Sequence, residues 1–229
     1  MKTASYLLPL VLAAAGLSSH AQAQPVGDAA KGATKAAMCI GCHGIVGYQA
    51  TFPEVYKVPM LAGQSGKYVV SALTAYQKGD RKHPTMRGIA ASLNEQDMAD
   101  LGAFYQAQGK AAGLAALPTT LAKPVPDALK DRMAACVACH GANFSAPIDP
   151  SYPRLAGQHA DYLYASLKAY QTDGNPHVGR NNASMRTQVV QEADGKKKLT
   201  FSNAELKQVA GYLASLPGEL AVVPQSRFR

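Results

Sequence analysis

Apolar residues recur along this chain at the spacing of one helical face. Val69, Ala72, Leu73 and Tyr76 fall at positions zero, three, four and seven, and Leu163, Ser166, Leu167 and Tyr170 repeat the pattern. A third stretch, Leu206, Val209, Ala210 and Leu213, follows Ser202-Asn203-Ala204-Glu205, which has capping-box form. Its counterpart runs from about Asn94 to Gln108 and carries Met98, Leu101 and Tyr105. Asp28 and Asp127 are the expected N-caps of shorter helices, with Pro126 just ahead of the second. No segment sustains the alternation of a strand, so the pattern predicts an all-α chain with loops between its helices.

These elements come in two sets. Pro59-Met60-Leu61-Ala62-Gly63-Gln64 matches Pro153-Arg154-Leu155-Ala156-Gly157-Gln158 at an offset of 94, and Tyr68, Leu73, Tyr76 and Gln77 match Tyr162, Leu167, Tyr170 and Gln171 at the same offset. The terminal helices match at 108, from Leu93 and Phe201. Offsets that drift by small steps indicate one unit duplicated with loop insertions. Residues 1–23 read as a signal peptide: Met1-Lys2, an apolar run from Leu7 to Leu17, then Ala21-Gln22-Ala23 as a cleavage site, with a retained N-terminal anchor as the competing reading. The expected organisation is a first unit over 24–112, an Ala/Pro-rich linker over 113–126 and a second unit over 127–229.

The chemistry lies in Cys39-Ile40-Gly41-Cys42-His43 and Cys136-Val137-Ala138-Cys139-His140, which use all four cysteines. Two thiols three positions apart reach the two vinyl groups of one porphyrin, and the adjacent imidazole is then held against the iron; this is the attachment signature of haem c. Structural zinc and disulfide pairing are the weaker rivals, since zinc ribbons rarely repeat a histidine at that position and a disulfide across each pair would close a small strained ring. The expected cofactors are two covalently attached haem c groups, with Cys39, Cys42, Cys136 and Cys139 as tethers and His43 and His140 as iron ligands. A unit of about 100 residues has a limited core, so the haem is expected to be structural as well as functional. Attachment of haem c outside the bacterial cytoplasm, together with the leader, predicts a periplasmic location.

Met86 and Met185 follow the two histidines by 43 and 45 residues, each in a polar loop before a terminal helix, and are the expected sixth ligands. His83 and His177, upstream of them, are the competing ligands. Met38, Met60, Met98 and Met133 read as packing or surface residues. Methionine ligation favours reduced iron and so a relatively positive potential.

Together, the paired Cys-x-x-Cys-His motifs, the Pro-x-Leu-Ala-Gly-Gln segments, the Tyr-x-x-x-x-Leu-x-x-Tyr-Gln helices and the later methionines resemble the dihaem cytochrome c4 family, over nearly the whole mature chain. The resemblance implies two tandem class I cytochrome c domains related by pseudo-twofold symmetry, each wrapped around one haem. It also implies that the carbonyls of Pro59 and Pro153 accept the second N–H of His43 and His140, and that the protein is an electron carrier, soluble or held peripherally at the membrane, to a terminal oxidase or another respiratory partner. A monomer is expected. The competing class is enzymatic: a dihaem peroxidase, a thiosulfate-oxidising enzyme, or the cytochrome subunit of a periplasmic dehydrogenase. No Ser/His/Asp set, carboxylate pair or phosphate loop supports catalysis by this chain.

Charge bears on partners. The formal net charge is +8, and loss of the leader, with Lys2 and no acid, leaves +7. A basic surface attracts acidic docking sites and anionic membranes, while nucleic acid is not expected in the periplasm. Lys196-Lys197-Lys198, in the inserted stretch from Gln188 to Lys198, reads as a solvated turn.

Overall fold

In the computed structural model, residues 25–111 and 120–224 are described; the predicted leader and part of the predicted linker lie outside them. The first half is built from α1 (Ala29–Lys35), α2 (Ala37–His43), α3 (Gly66–Lys78), α4 (Pro84–Ala91) and α5 (Glu95–Ala111). Asp28 caps α1 as expected, accepting from the backbone N–H groups of Ala30 and Lys31 at 2.8 and 3.2 Å. α1 crosses α5 so closely that a Cβ on Gly32 would stand 2.1 Å from the Asp100 carbonyl oxygen, so only glycine fits there. Ile40, Val69, Leu73, Met98, Leu101 and Tyr105 form the core of this half.

The second half repeats the plan with α6 (Lys130–His140), α7 (Ala160–Gln171), α8 (Ala183–Val189) and α9 (Asn203–Ser215). Ser202 and Glu205 form the predicted capping box, and Leu206, Val209, Ala210 and Leu213 are buried along α9. Met133, Phe144 and Leu163 pack against that face. The glutamine of each Tyr-Gln pair has the same task in both halves. Gln77 donates to the Ala90 and Leu93 carbonyls at 3.3 and 2.9 Å, and Gln171 donates to those of Val189 and Phe201 at 3.3 and 3.0 Å. Each bond ties the end of the long helix to the segment that leads into the terminal helix.

Three expectations are corrected. Asp127 is not a cap: it lies inside a 3-10 turn, Asp127–Leu129, whose leading position is Pro126 and which no side chain caps. Short strands exist. β1 (Gln49–Ala50) pairs with β2 (Tyr56–Lys57), β3 (Arg81–Lys82) with β4 (Gly179–Arg180), and β5 (Val190–Ala193) with β6 (Lys196–Leu199), all antiparallel. The first two pairs are too short for alternation to show. The lysine run is strand β6 rather than a turn, because Asp194 and Gly195, both at positive φ, make the tight reversal of a two-residue hairpin. Lys197 Nζ reaches Asp173 Oδ2 at 2.6 Å.

The halves meet along a pseudo-twofold axis that runs between β3 and β4, where Arg81 stands opposite Arg180. Lys57 pairs with Asp161 at 3.3 Å and Lys168 with Glu54 at 2.9 Å across this interface. The C-terminal segment of the second half then crosses back: the Ala221 N–H donates to the Ala62 carbonyl at 3.0 Å, and Arg154, paired with Glu219 within its own half, donates to the Gly63 carbonyl at 2.6 Å.

Asp100 anchors the start of the first half. Its fully buried carboxylate accepts from Lys35 Nζ at 2.6 Å, the Asp28 N–H at 2.8 Å and Gln96 Nε2 at 2.8 Å. The Lys35 bond first, then the Asp28 N–H, holds its pKa at about 2. A carboxyl held below its unfolded value of about 3.9 contributes stability that is complete above that pH and is lost as pH falls toward its folded pKa. Thermal melts of wild type and Asp100→Asn across pH 2 to 7 should therefore differ most above pH 4, with the variant lower in Tm, and converge near pH 2; a gap independent of pH would refute the ionic role.

Candidate functional site

The spacing of each Cys-x-x-Cys-His motif acts through the helix that carries it. Cys39, Cys42 and His43 lie on α2, and Cys136, Cys139 and His140 on α6, so that steps of three and four residues put two thiols and an imidazole on one side of the helix end. All four cysteines are free thiols, so neither pair is bridged. Among the described residues no three His, Cys, Asp or Glu side chains converge as a zinc site would require. Cys39 and Cys136 are half-buried against the two cores, and burial pushes both thiols up in pKa.

Both imidazoles are oriented from behind. His43 Nδ1 lies 2.9 Å from the Pro59 carbonyl oxygen, and His140 Nδ1 lies 3.0 Å from that of Pro153. A carbonyl can only accept, so Nδ1 carries the hydrogen and Nε2 keeps its lone pair. Burial lowers the pKa of both histidines, against the opposing effect of the proline carbonyls, which keeps the rings neutral and able to bind a metal. The turns that deliver these carbonyls belong to the Pro-x-Leu-Ala-Gly-Gln segments, in which Gly63 and Gly157 take φ of +85° and +76°.

Met86 and Met185 are not in loops. Each is the third residue of a short helix, α4 or α8, and its backbone N–H donates to the capping side chain, His83 Nδ1 at 3.4 Å or Asn182 Oδ1 at 3.0 Å. The sequence lacked the signal because the helices are short and one cap is a histidine. The repeat partner of His83 is thus Asn182 rather than His177, which is exposed on a separate turn where its N–H donates to Asn175. Met86 and Cys39 both pack against the first core. Met185 shares a cavity of about 580 Å³ with Cys136, Cys139 and His140, walled by Leu163, Val209 and Leu213 and continuing through the interface to Tyr68 and Arg81 of the first half. That volume suits a large cofactor.

Sequence reasoning missed two pairs of residues. Arg81 Nη2 donates to the Tyr68 hydroxyl at 2.7 Å, and its guanidinium stands over the rings of Tyr68 and Tyr76 at 5.4 and 5.5 Å. Arg180 mirrors it, bonded to Tyr162 and Ser166 at 3.1 and 2.7 Å and standing over Tyr162 and Tyr170. Neither arginine has a carboxylate partner among the described residues. Burial raises the Tyr162 phenol, but Arg180 and then Arg81 outweigh it and bring its pKa to about 8. Two like charges side by side on the wall of this cavity suit an anionic ligand. Gln64 and Gln158, buried at 3 % and 4 % exposure, are the other pair. Both pairs repeat at the offsets of their neighbours, 99 and 94, and that regularity was the available signal.

Residues present in duplicate therefore suit the parts of a haem: thiols for vinyl groups, a preset imidazole for iron, an apolar wall for the macrocycle, and a guanidinium pair for carboxylates. The fold and site define a c-type cytochrome of tandem construction. A family model described as cytochrome c matches residues 130–217. Cytochrome c4 of Pseudomonas aeruginosa is 30% identical over 92% of this chain and 98% of its own, and the thiosulfate dehydrogenase electron acceptor of Thiomonas intermedia is 30% identical over 90% and 91%. The crystal structure of reduced cytochrome c4 from Pseudomonas stutzeri superposes with a TM-score of 0.54 at 25% identity, covering 83% of this chain and 100% of that one. The chain belongs to the cytochrome c4 family, with covalently bound haem c and a role as an electron carrier. Among the described residues no helix is long and apolar enough to cross a membrane.

Proposed function

We propose that this protein is a periplasmic dihaem carrier that passes single electrons between respiratory-chain partners, toward a terminal oxidase. The observation that carries the reading is the duplicated imidazole–proline carbonyl bond, at 2.9 and 3.0 Å, each beside its own thiol pair. One haem belongs to the unit 24–112 and one to 127–229, with 113–126 as linker and residues 1–23 as the leader. Each haem supplies a one-electron iron couple.

The chain's own residues do the rest. Cys39 and Cys42, and Cys136 and Cys139, tether the macrocycles. His43 and His140 present Nε2 to iron while Pro59 and Pro153 fix the rings and raise their basicity, as outer partners do for metal-bound imidazoles. Met86 and Met185 complete the coordination from helices held by their caps. Arg81 and Arg180 would hold haem carboxylates in the interface, which accounts for two neighbouring cations with no carboxylate partner among the described residues. Leu163, Val209 and Leu213 exclude water from the second macrocycle.

A second reading names the electron donor. The likeness to the thiosulfate dehydrogenase electron acceptor of Thiomonas intermedia supports a periplasmic dehydrogenase as the upstream partner, with this chain receiving its electrons. Docking would use the exposed apolar loop after His43, where Ile45, Val46, Phe52 and Val55 face solvent, steered by the basic net charge.

Mass measurement of the mature protein should give the polypeptide plus two haems, and Cys39→Ala or Cys136→Ala should weaken covalent retention in the affected half alone; a bare polypeptide mass, or bound zinc, would end the reading. Met86→His or Met185→His should lower one of two midpoint potentials by on the order of 0.1 V, since axial ligands set potentials over about 0.8 V. Unchanged spectra would remove the methionine from the coordination. Electron transfer to a membrane oxidase, followed by stopped flow, should slow as salt rises, because screening acts over about 8 to 10 Å at physiological strength. A flat rate would assign docking to the apolar loop.

A further inference from the structure

The peptide group that receives each proximal imidazole is gripped by the opposite half of the molecule. The bond joining Pro59 to Met60 presents its carbonyl to His43 Nδ1 at 2.9 Å and its N–H to Gln158 Oε1 at 3.0 Å. The bond joining Pro153 to Arg154 presents its carbonyl to His140 Nδ1 at 3.0 Å and its N–H to Gln64 Oε1 at 2.9 Å. Each glutamine also donates Nε2 to the next carbonyl, that of Met60 at 3.0 Å or Arg154 at 3.1 Å. Its own orientation is set, because Oε1 accepts a second backbone N–H, from His159 or Ser65, at 3.0 and 2.9 Å. Both side chains are almost fully buried.

We infer that Gln64 and Gln158 are positioning residues that tune the haems crosswise: Gln158 sets the basicity of His43, and Gln64 that of His140. An amide whose N–H donates carries more negative charge on its oxygen, since hydrogen bonds in a chain polarise one another. The proline carbonyl then draws harder on Nδ1–H, the ring gains imidazolate character, and a more basic ligand favours ferric iron. Removing the glutamine oxygen reverses each step and raises the potential of the haem in the other half. The interface is thereby a path by which each half sets the redox level of its twin, through bonds and without a direct contact to iron. The inference rests on His43 and His140 being the proximal ligands.

The test uses the haem-loaded full chain, titrated spectroelectrochemically in a Met86→His background that marks the first haem by its lowered potential. Gln158→Leu should raise that marked potential and leave the other in place, with the ferrous-to-ferric ratio at a given solution potential increased by about three- to tenfold, the upper limit being about 59 mV for a one-electron couple. Gln64→Leu should raise the unmarked one. Gln158→Glu restores an acceptor for the Met60 N–H, so it should not raise the marked potential, whereas a merely loosened interface would raise it equally in both variants. Two haems retained with both potentials unmoved, or moved within the same half as the substitution, would overturn the inference alone. Loss of the histidine-ligated spectrum in the parent protein would overturn the ligand assignment instead.

Discussion

Everything in each half follows from having two thiols and an imidazole on one side of a short helix. The two thiols and the imidazole would hold a macrocycle at that helix end, and the chain leaves the helix, turns, and comes back behind the imidazole to hold it. The Pro-x-Leu-Ala-Gly-Gln segment performs that return, with its glycine at positive φ reversing the chain after the proline carbonyl has met the ring. The remaining helices close the apolar space around the cofactor. The cores of the two halves remain separate clusters, each with a half-buried cysteine packed against it.

The return segments also build the interface. Because each passes close behind its imidazole, its backbone is left facing the other half, with N–H and carbonyl groups at partly buried positions. An unpaired backbone group in that position would cost about 1 to 3 kcal/mol. The two buried glutamines satisfy these groups reciprocally, and the pseudo-twofold relation lets one residue type serve both sides. The arginine pair obeys the same symmetry with the opposite consequence, since symmetry brings two cations together and leaves their charge for a ligand to neutralise.

The elements that the sequence displayed most clearly were the ones repeated or capped. The capping box at Ser202, the Asp28 cap and the apolar faces of α3, α7 and α9 were all legible, because short-range rules govern them. The helices of Met86 and Met185 were not. They are about two turns long, too short for periodicity, and α4 is capped by a histidine, which sequence rules do not favour. The Asp-Gly reversal of the β5–β6 hairpin was a readable signal overshadowed by the lysines that follow it. The interface residues were hidden for another reason. A buried Gln or Arg looks like surface in a single sequence, and only the matched offsets of Gln64 with Gln158 and Arg81 with Arg180 mark them as fixed parts.

The β5–β6 hairpin belongs to the second half only: in the first half the short segment 92–94 joins α4 to α5. Two identical sites would share an electron evenly and give it no preferred resting place. The one-sided hairpin gives the two matched sets of cysteine, histidine and methionine unlike surroundings, and for bound haems unlike surroundings would mean unequal affinity for the electron. In a two-haem carrier, duplication would supply two stations, and departures from duplication would give the traffic between them a direction.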